Sequence, residues 1–199
     1  MGKAWIKDRR RDSYYRAAKR MEYRSRAAFK LLQLQDRFHI VRLGDTVVDL
    51  GAAPGGWSQV AADLVGLRGR VIAVDVVRMR SLGDVEVLQG DFTDPPFVAL
   101  LLEALGRPAD AVLCDASPKL SGVKSLDQAR SSDLARAALA VSGKALGPGG
   151  SFVAKAFRGS DYGPFLSDVR GRFPAVKEYT PRASPKGSAE VYVVGLGRR

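Results

Sequence analysis

Residues 46–65, TVVDLGAAPGGWSQVAADLV, decide the fold. Thr46 to Leu50 is a short apolar run rich in β-branched side chains, the pattern of a strand buried on both faces of a parallel sheet. It passes directly into Gly51-Ala52-Ala53-Pro54-Gly55-Gly56-Trp57-Ser58-Gln59, after which VAADLV resumes as a helix. The small residues at Gly51, Gly55 and Gly56 let a ligand approach the backbone closely. Strand, tight turn and helix in this order predict the first crossing of an open α/β sheet, where a nucleotide-like ligand lies beside the switch in strand order.

The turn is not a phosphate cradle, because neither the G-x-x-x-x-G-K-[ST] of a P-loop nor the G-x-G-x-x-G of a dinucleotide site is present. A ligand with a ribose and an amino-acid end but no pyrophosphate suits Asp49 and the exposed loop backbone better. S-adenosylmethionine is such a ligand. The next run, RVIAVDV at 70–76, ends near Asp75, 24 residues after Gly51, close to the spacing at which an acid accepts from ribose hydroxyls. A further strand at 85–88 leads to Asp91, a second acid placed to accept from an adenine amino group.

Four residues far apart in the chain, Lys30, Asp115, Lys155 and Glu190, each stand where a strand or helix end delivers them to the same cleft. Lys155 interrupts the apolar run SFVAKAF at 151–157, and a lysine in a central strand is costly unless paired. Asp115 follows AVLC at the carboxyl end of a strand, where ligands collect in such sheets. Two lysines and two carboxylates beside a cofactor loop suggest proton abstraction. Lys155 is the natural base, with Asp115 orienting it and Lys30 and Glu190 tuning and positioning the pair.

DLGAAPGGWSQ at 49–59, CDASPKLSG at 114–122, VAKAF at 153–157 and SAEVY at 188–192 resemble the motifs of the FtsJ/RrmJ family. Members of that family are S-adenosylmethionine-dependent RNA ribose 2′-O-methyltransferases, and the likeness runs from Ser25-Arg26-Ala27-Ala28-Phe29-Lys30 to the last strand. The resemblance implies that Lys30, Asp115, Lys155 and Glu190 form a catalytic tetrad. It also implies that Gly55, Trp57, Asp75, Asp91 and Asp115 contact the cofactor, alongside Gly51 and Gly56 of the loop. One departure stands upstream of Glu190, where Thr180-Pro181 and Ser184-Pro185 replace the usual Lys-Pro and Ser-Arg pairs. By the same resemblance the expected substrate is a uridine in large-subunit ribosomal RNA. Relatives that modify the tRNA anticodon loop have a similar length, and a non-catalytic RNA-binding or ribosome-assembly protein and a small-molecule methyltransferase are the other classes.

Composition points to a nucleic-acid partner: 32 Lys and Arg against 21 Asp and Glu give a formal charge of +11. Residues 1–30 hold eleven basic and three acidic side chains, a net +8, so most of the excess is N-terminal. We read residues 1–22 as a basic arm and 23–199 as one methyltransferase domain. Arg9, Arg10, Arg11, Arg24 and Arg26 are the expected RNA contacts, with Trp5, Tyr14, Tyr15 and Tyr23 interleaved as stacking surfaces. The single cysteine, Cys114, and single histidine, His39, offer neither an internal disulfide nor a Cys- or His-based metal site. The charged N-terminus and the absence of a long apolar run predict a cytoplasmic protein with no membrane partner and no metal, and we expect a monomer.

Helical patterns near 23–38, 57–65, 95–105, 125–146 and 162–172 alternate with strands near 46–50, 70–76, 85–88, 110–115, 150–156, 174–180 and 189–196. Alternation of this kind predicts a Rossmann-like α/β methyltransferase fold, a mostly parallel seven-stranded sheet with helices on both faces. The last two strands, read as the only pair without an intervening helix, should form an antiparallel hairpin.

Overall fold

The computed structural model describes residues 12–118, 121–185 and 187–199. Two helices, α1 (Ser13–Arg20) and α2 (Ala28–Phe38), lead into the sheet strands β1 (Thr46–Leu50), β2 (Arg70–Asp75), β3 (Glu86–Gln89), β4 (Ala109–Cys114), β5 (Leu146–Phe157), β6 (Ala175–Tyr179) and β7 (Glu190–Leu196). Helices α3 (Gly56–Val65), α4 (Pro95–Leu105), α5 (Lys124–Ala145) and α6 (Tyr162–Arg172) lie between them. The strand order is β3-β2-β1-β4-β5-β7-β6, with β7 antiparallel to both its neighbours and every other pairing parallel.

The sheet separates two apolar layers. Helices α4, α5 and α6 cover one face through Leu101, Ala138 and Phe165, packed on Val48, Val112 and Phe152. On the other face α2 and α3 contribute Leu31, Leu34, Trp57 and Val60 against Val47, Leu113 and Val153. Residues 47, 48, 112 and 113 thus serve both faces, which is why these strands read as continuous apolar runs rather than alternating ones.

Order reverses between β1 and β4, so the chain leaves their carboxyl ends in opposite directions and opens a crevice there. Gly51 sets its floor. With φ at +71°, it lies so near the chain beyond β4 that a Cβ would stand 2.5 Å from the Cβ of Ala116. Only glycine allows both that conformation and that approach.

Two expectations change. β2 and β3 also lack an intervening helix, yet they pair in parallel through residues 76–85, where the one regular interaction is the Leu82–Val85 bridge. Ten residues in extended form span the length of these short strands without helical help. β5 begins at Leu146 rather than 150, with a register shift against β4 between Ala109 and Ala111, and Gly149 and Gly150 bond the main chain of Arg198. The stretch read as a basic arm contains α1, whose N-terminus is capped by Asp12 accepting from the Tyr14 and Tyr15 amides. The boundary drawn at 22 therefore falls between two helices joined by Tyr14 and Tyr23 packing on Phe29, at centroid distances of 5.4 and 5.7 Å. Those two rings are occupied by protein, whereas Trp5 lies outside the described residues.

Candidate active site

Strand and helix ends bring the four residues together as two ion pairs. Lys155, on β5, donates to the main-chain oxygen of Asp115 at 2.8 Å and stands 3.2 Å from its Oδ1. Lys30, on α2, lies 2.8 Å and 3.0 Å from the two carboxylate oxygens of Glu190, the first residue of β7. Lys30, Lys155 and Glu190 are each at most 8% exposed. Their burial is tolerable because each charge faces an opposite one and is hydrogen-bonded besides.

A fifth residue joins the pairs. The Tyr192 hydroxyl donates to Asp115 Oδ1 at 2.6 Å and accepts from Lys30 Nζ at 3.0 Å. Burial, reinforced by the charges of Asp115 and Glu190, pushes the phenol well above its ordinary range, so it stays protonated and serves as a fixed donor. Its ring lies 5.7 Å from that of Trp57. Tyr192 is opposite Lys155 in the β5–β7 register and two residues beyond Glu190, hence on the same side of the strand as the glutamate. That period of two was the signal by which the sequence could have yielded it. Ser184, in the segment that departs from the family pattern, donates to Glu190 Oε1 at 2.6 Å and holds the carboxylate in place.

The cofactor side is organised by Asp75, whose oxygens accept from the amides of Ala53 at 2.8 Å and Val77 at 2.7 Å. Asp91, exposed at the end of β3, accepts from the amide and hydroxyl of Thr93 through Oδ1. The Trp57 indole is in the core and donates to the Ala27 oxygen at 2.8 Å, so a cofactor contact from this residue would be made by its main chain. A Cβ added at Gly55 would crowd Arg24 and Met79, and one at Gly56 would meet the Ser25 hydroxyl, so the loop packs closely on its neighbours at both.

Asp49 tests whether these residues fit S-adenosylmethionine. It is fully buried at the end of β1, accepts from the Ser58 hydroxyl at 2.6 Å through Oδ2, and its Oδ1 has no partner. An orphaned acceptor beneath a loop flanked by acids fits a ligand carrying an ammonium and a sulfonium, and Asp75 and Asp91 fit its ribose and adenine. Burial raises the Asp49 carboxyl to about 7, with Asp115 and Asp75 adding to the shift and Ser58 opposing it. The folded state thus holds a proton that the unfolded chain releases near pH 4, and this contribution to stability fades as pH rises through about 7. Asp49→Asn should therefore gain stability relative to the parent as pH is raised from 4 to 8 in the absence of cofactor. Thermal unfolding across that range checks this; a difference independent of pH would mean Asp49 is already ionised and solvated.

The expected RNA contacts fare differently. Arg9, Arg10 and Arg11 lie outside the described residues. Arg24 donates to the main-chain oxygens of Pro54, Arg80 and Ser81, tying the cofactor loop to the β2–β3 crossing, and Arg26 bonds Asp12 and the Ala183 oxygen. Both guanidiniums thus help to hold loops together. Cys114 is buried, which raises its thiol to about 12 and leaves it an inert core group. Among the described residues no group of three or more His, Cys, Asp or Glu side chains could hold a metal ion, and no helix is long and apolar enough to cross a membrane.

Residues 23–198 match the FtsJ-like methyltransferase family model. A relative from Methanothrix thermoacetophila, named ribosomal RNA large subunit methyltransferase E, is 50% identical over 93% of this chain and 72% of its own. One of the same name from Methanothermobacter thermautotrophicus is 45% identical over 98% and 93%. Among solved structures, one described as a ribosomal RNA methyltransferase from Plasmodium falciparum superposes with a TM-score of 0.78 at 26% identity, covering 88% of this chain and 98% of that one. Fibrillarin from Aeropyrum pernix, solved with S-adenosyl-L-methionine bound, shares the fold at a TM-score of 0.57 and 16% identity, over 87% of this chain and 75% of its own.

Proposed function

The chain belongs to the FtsJ-like methyltransferase family, and on that footing we propose that it methylates the ribose 2′-hydroxyl of a uridine in large-subunit ribosomal RNA, with Lys155 as general base. The observation that carries this reading is the pairing of buried Lys155 with half-buried Asp115 at the mouth of the β1–β4 crevice.

A ribose hydroxyl is a poor nucleophile until its proton leaves, so an enzyme needs a base held at a fixed place. S-adenosylmethionine, when bound, supplies a methyl group on a positively charged sulfur. Lys155 donates to the Asp115 main-chain oxygen and lies 3.2 Å from its carboxylate, which leaves the lone pair of the neutral amine to meet the hydroxyl. The neutral amine accepts the proton, and the ammonium that results is stabilised by the Asp115 carboxylate. Tyr192, locked as a donor, fixes that carboxylate, while Lys30 and Glu190 fix Tyr192. Asp49, Asp75 and Asp91, with the Gly51 turn, are the residues that would hold the cofactor.

Methyl-labelled cofactor offered with large ribosomal subunits or total tRNA tests the substrate. Label is expected in the subunit RNA; label confined to tRNA would overturn it. A second expectation concerns the N-terminus. Deleting residues 1–11 removes Lys3, Lys7 and three arginines but spares the Asp12 cap. RNA affinity should then fall less steeply with salt, the log–log slope shrinking by about three on the counterion-release scale. An unchanged slope would exclude these residues from phosphate contact.

A further inference from the structure

Beyond the tetrad, on the side away from Gly51 and Asp75, a cavity of about 320 Å³ is lined by Ser117, Pro118, Asp127, Gln128 and Phe157, among others. Phe157 is two residues past Lys155, so it emerges on the same face of β5, and it pairs in register with Glu190. It is only partly buried and packs in neither core cluster. An aromatic ring at the mouth of a sheet, with no partner in the core, has no structural employment that its neighbours reveal.

Ribose chemistry says what must lie there. The 2′-oxygen is on C2′ and the base is on the adjoining C1′, so a hydroxyl presented to Lys155 brings its own base within a few bonds of the reacting atoms. With the cofactor residues on one side of Lys155, that base has the Phe157 cavity on the other.

Gln128 supplies a means of selection. Its Nε2 donates to the Arg158 main-chain oxygen at 2.6 Å, which fixes the amide so that Oε1, with no partner among the described residues, is a pure acceptor. Uracil carries a donor at N3 where cytosine carries a lone pair. Asp127 is otherwise committed, accepting from Ser121 and from the Gly122 amide.

We propose that this cavity receives the base of the methylated nucleotide, with Phe157 stacking on it and Gln128 Oε1 accepting from the N3–H of uracil. The inference rests on the ribose-methylation reading above.

The test uses the full chain and large subunits in which the modified position, mapped with the parent enzyme, is either U or C. Gln128→Leu should reduce the U-over-C ratio of kcat/KM roughly tenfold, the scale of one base-edge hydrogen-bond pair. Phe157→Ala should lower kcat/KM on the U substrate by about tenfold or more, the loss of one stacked base, with substantial recovery in Phe157→Tyr. Cofactor affinity, measured by calorimetry, should be unchanged in all three. A parent enzyme that labels no RNA would sink the reading beneath; an active parent with the U-over-C ratio unmoved in Gln128→Leu, or equal losses in Phe157→Ala and Phe157→Tyr, would overturn the base pocket alone.

Discussion

Lys155→Met is expected to slow methyl transfer by about a thousandfold, within the range that a positioned general base contributes, while cofactor affinity stays within about twofold. Methionine keeps the apolar stem and removes only the amine, so the variant separates proton transfer from packing. Asp115 retains the Tyr192 hydroxyl as its donor, and the carboxylate is not left bare. Asp115→Asn should produce a loss of the same kind, because an amide cannot offset the ammonium charge that Lys155 acquires. Single-turnover rates at saturating cofactor check both. A Lys155→Met enzyme within tenfold of the parent would remove Lys155 from the proton-transfer step and leave it a structural lysine.

Glu190→Ala is expected to cost about 3–5 kcal/mol of folding stability, the usual penalty for leaving one charge of a buried pair without its partner. Lys30 would keep only the Tyr192 oxygen, in a setting where it is 8% exposed, and the Ser184 hydroxyl would lose its acceptor. Glu190→Ala combined with Lys30→Met removes both charges and should recover most of the loss, since apolar replacement of a whole buried pair is often nearly neutral. Urea unfolding of the two single variants and the double variant measures the coupling. If Glu190→Ala alone costs under about 1 kcal/mol, the pair is solvated and its role in positioning Tyr192 is lost with it.

The sheet was legible because β1, β2, β4 and β5 are apolar on both faces and end in residues that break the pattern. Lys155 stood out for the same reason: a charge inside such a strand needs a partner, and Asp115 is that partner. The bond between Lys30 and Glu190 spans 160 residues of chain, and motif likeness rather than any local pattern drew those two together. Tyr192 escaped notice since a tyrosine in a strand is ordinary; its hydroxyl becomes informative only once Asp115 and Lys30 are seen on either side.

Basic residues were the least legible. A local run of arginines looks the same whether the guanidiniums face solvent or bond carbonyls elsewhere, and the partners of Arg24 and Arg26 include Ser81 and Ala183, far away in sequence. Trp57 is adjacent to the cofactor loop in sequence while its side chain turns into the layer under α2, a placement that no local pattern reveals. The β2–β3 crossing without a helix was already implicit in the spacing, as only about ten residues separate the two runs.

The reaction's defining feature is that oxygen, not a base nitrogen or carbon, receives the methyl. RNA labelled by the enzyme from methyl-tritiated cofactor should be digested to completion with alkali, which cleaves only where a free 2′-hydroxyl can attack the neighbouring phosphate. Label recovered in an alkali-resistant dinucleotide whose 5′ nucleoside is uridine is the expected result. Label in mononucleotides would place the methyl on a base and contradict the account from Lys155 outward.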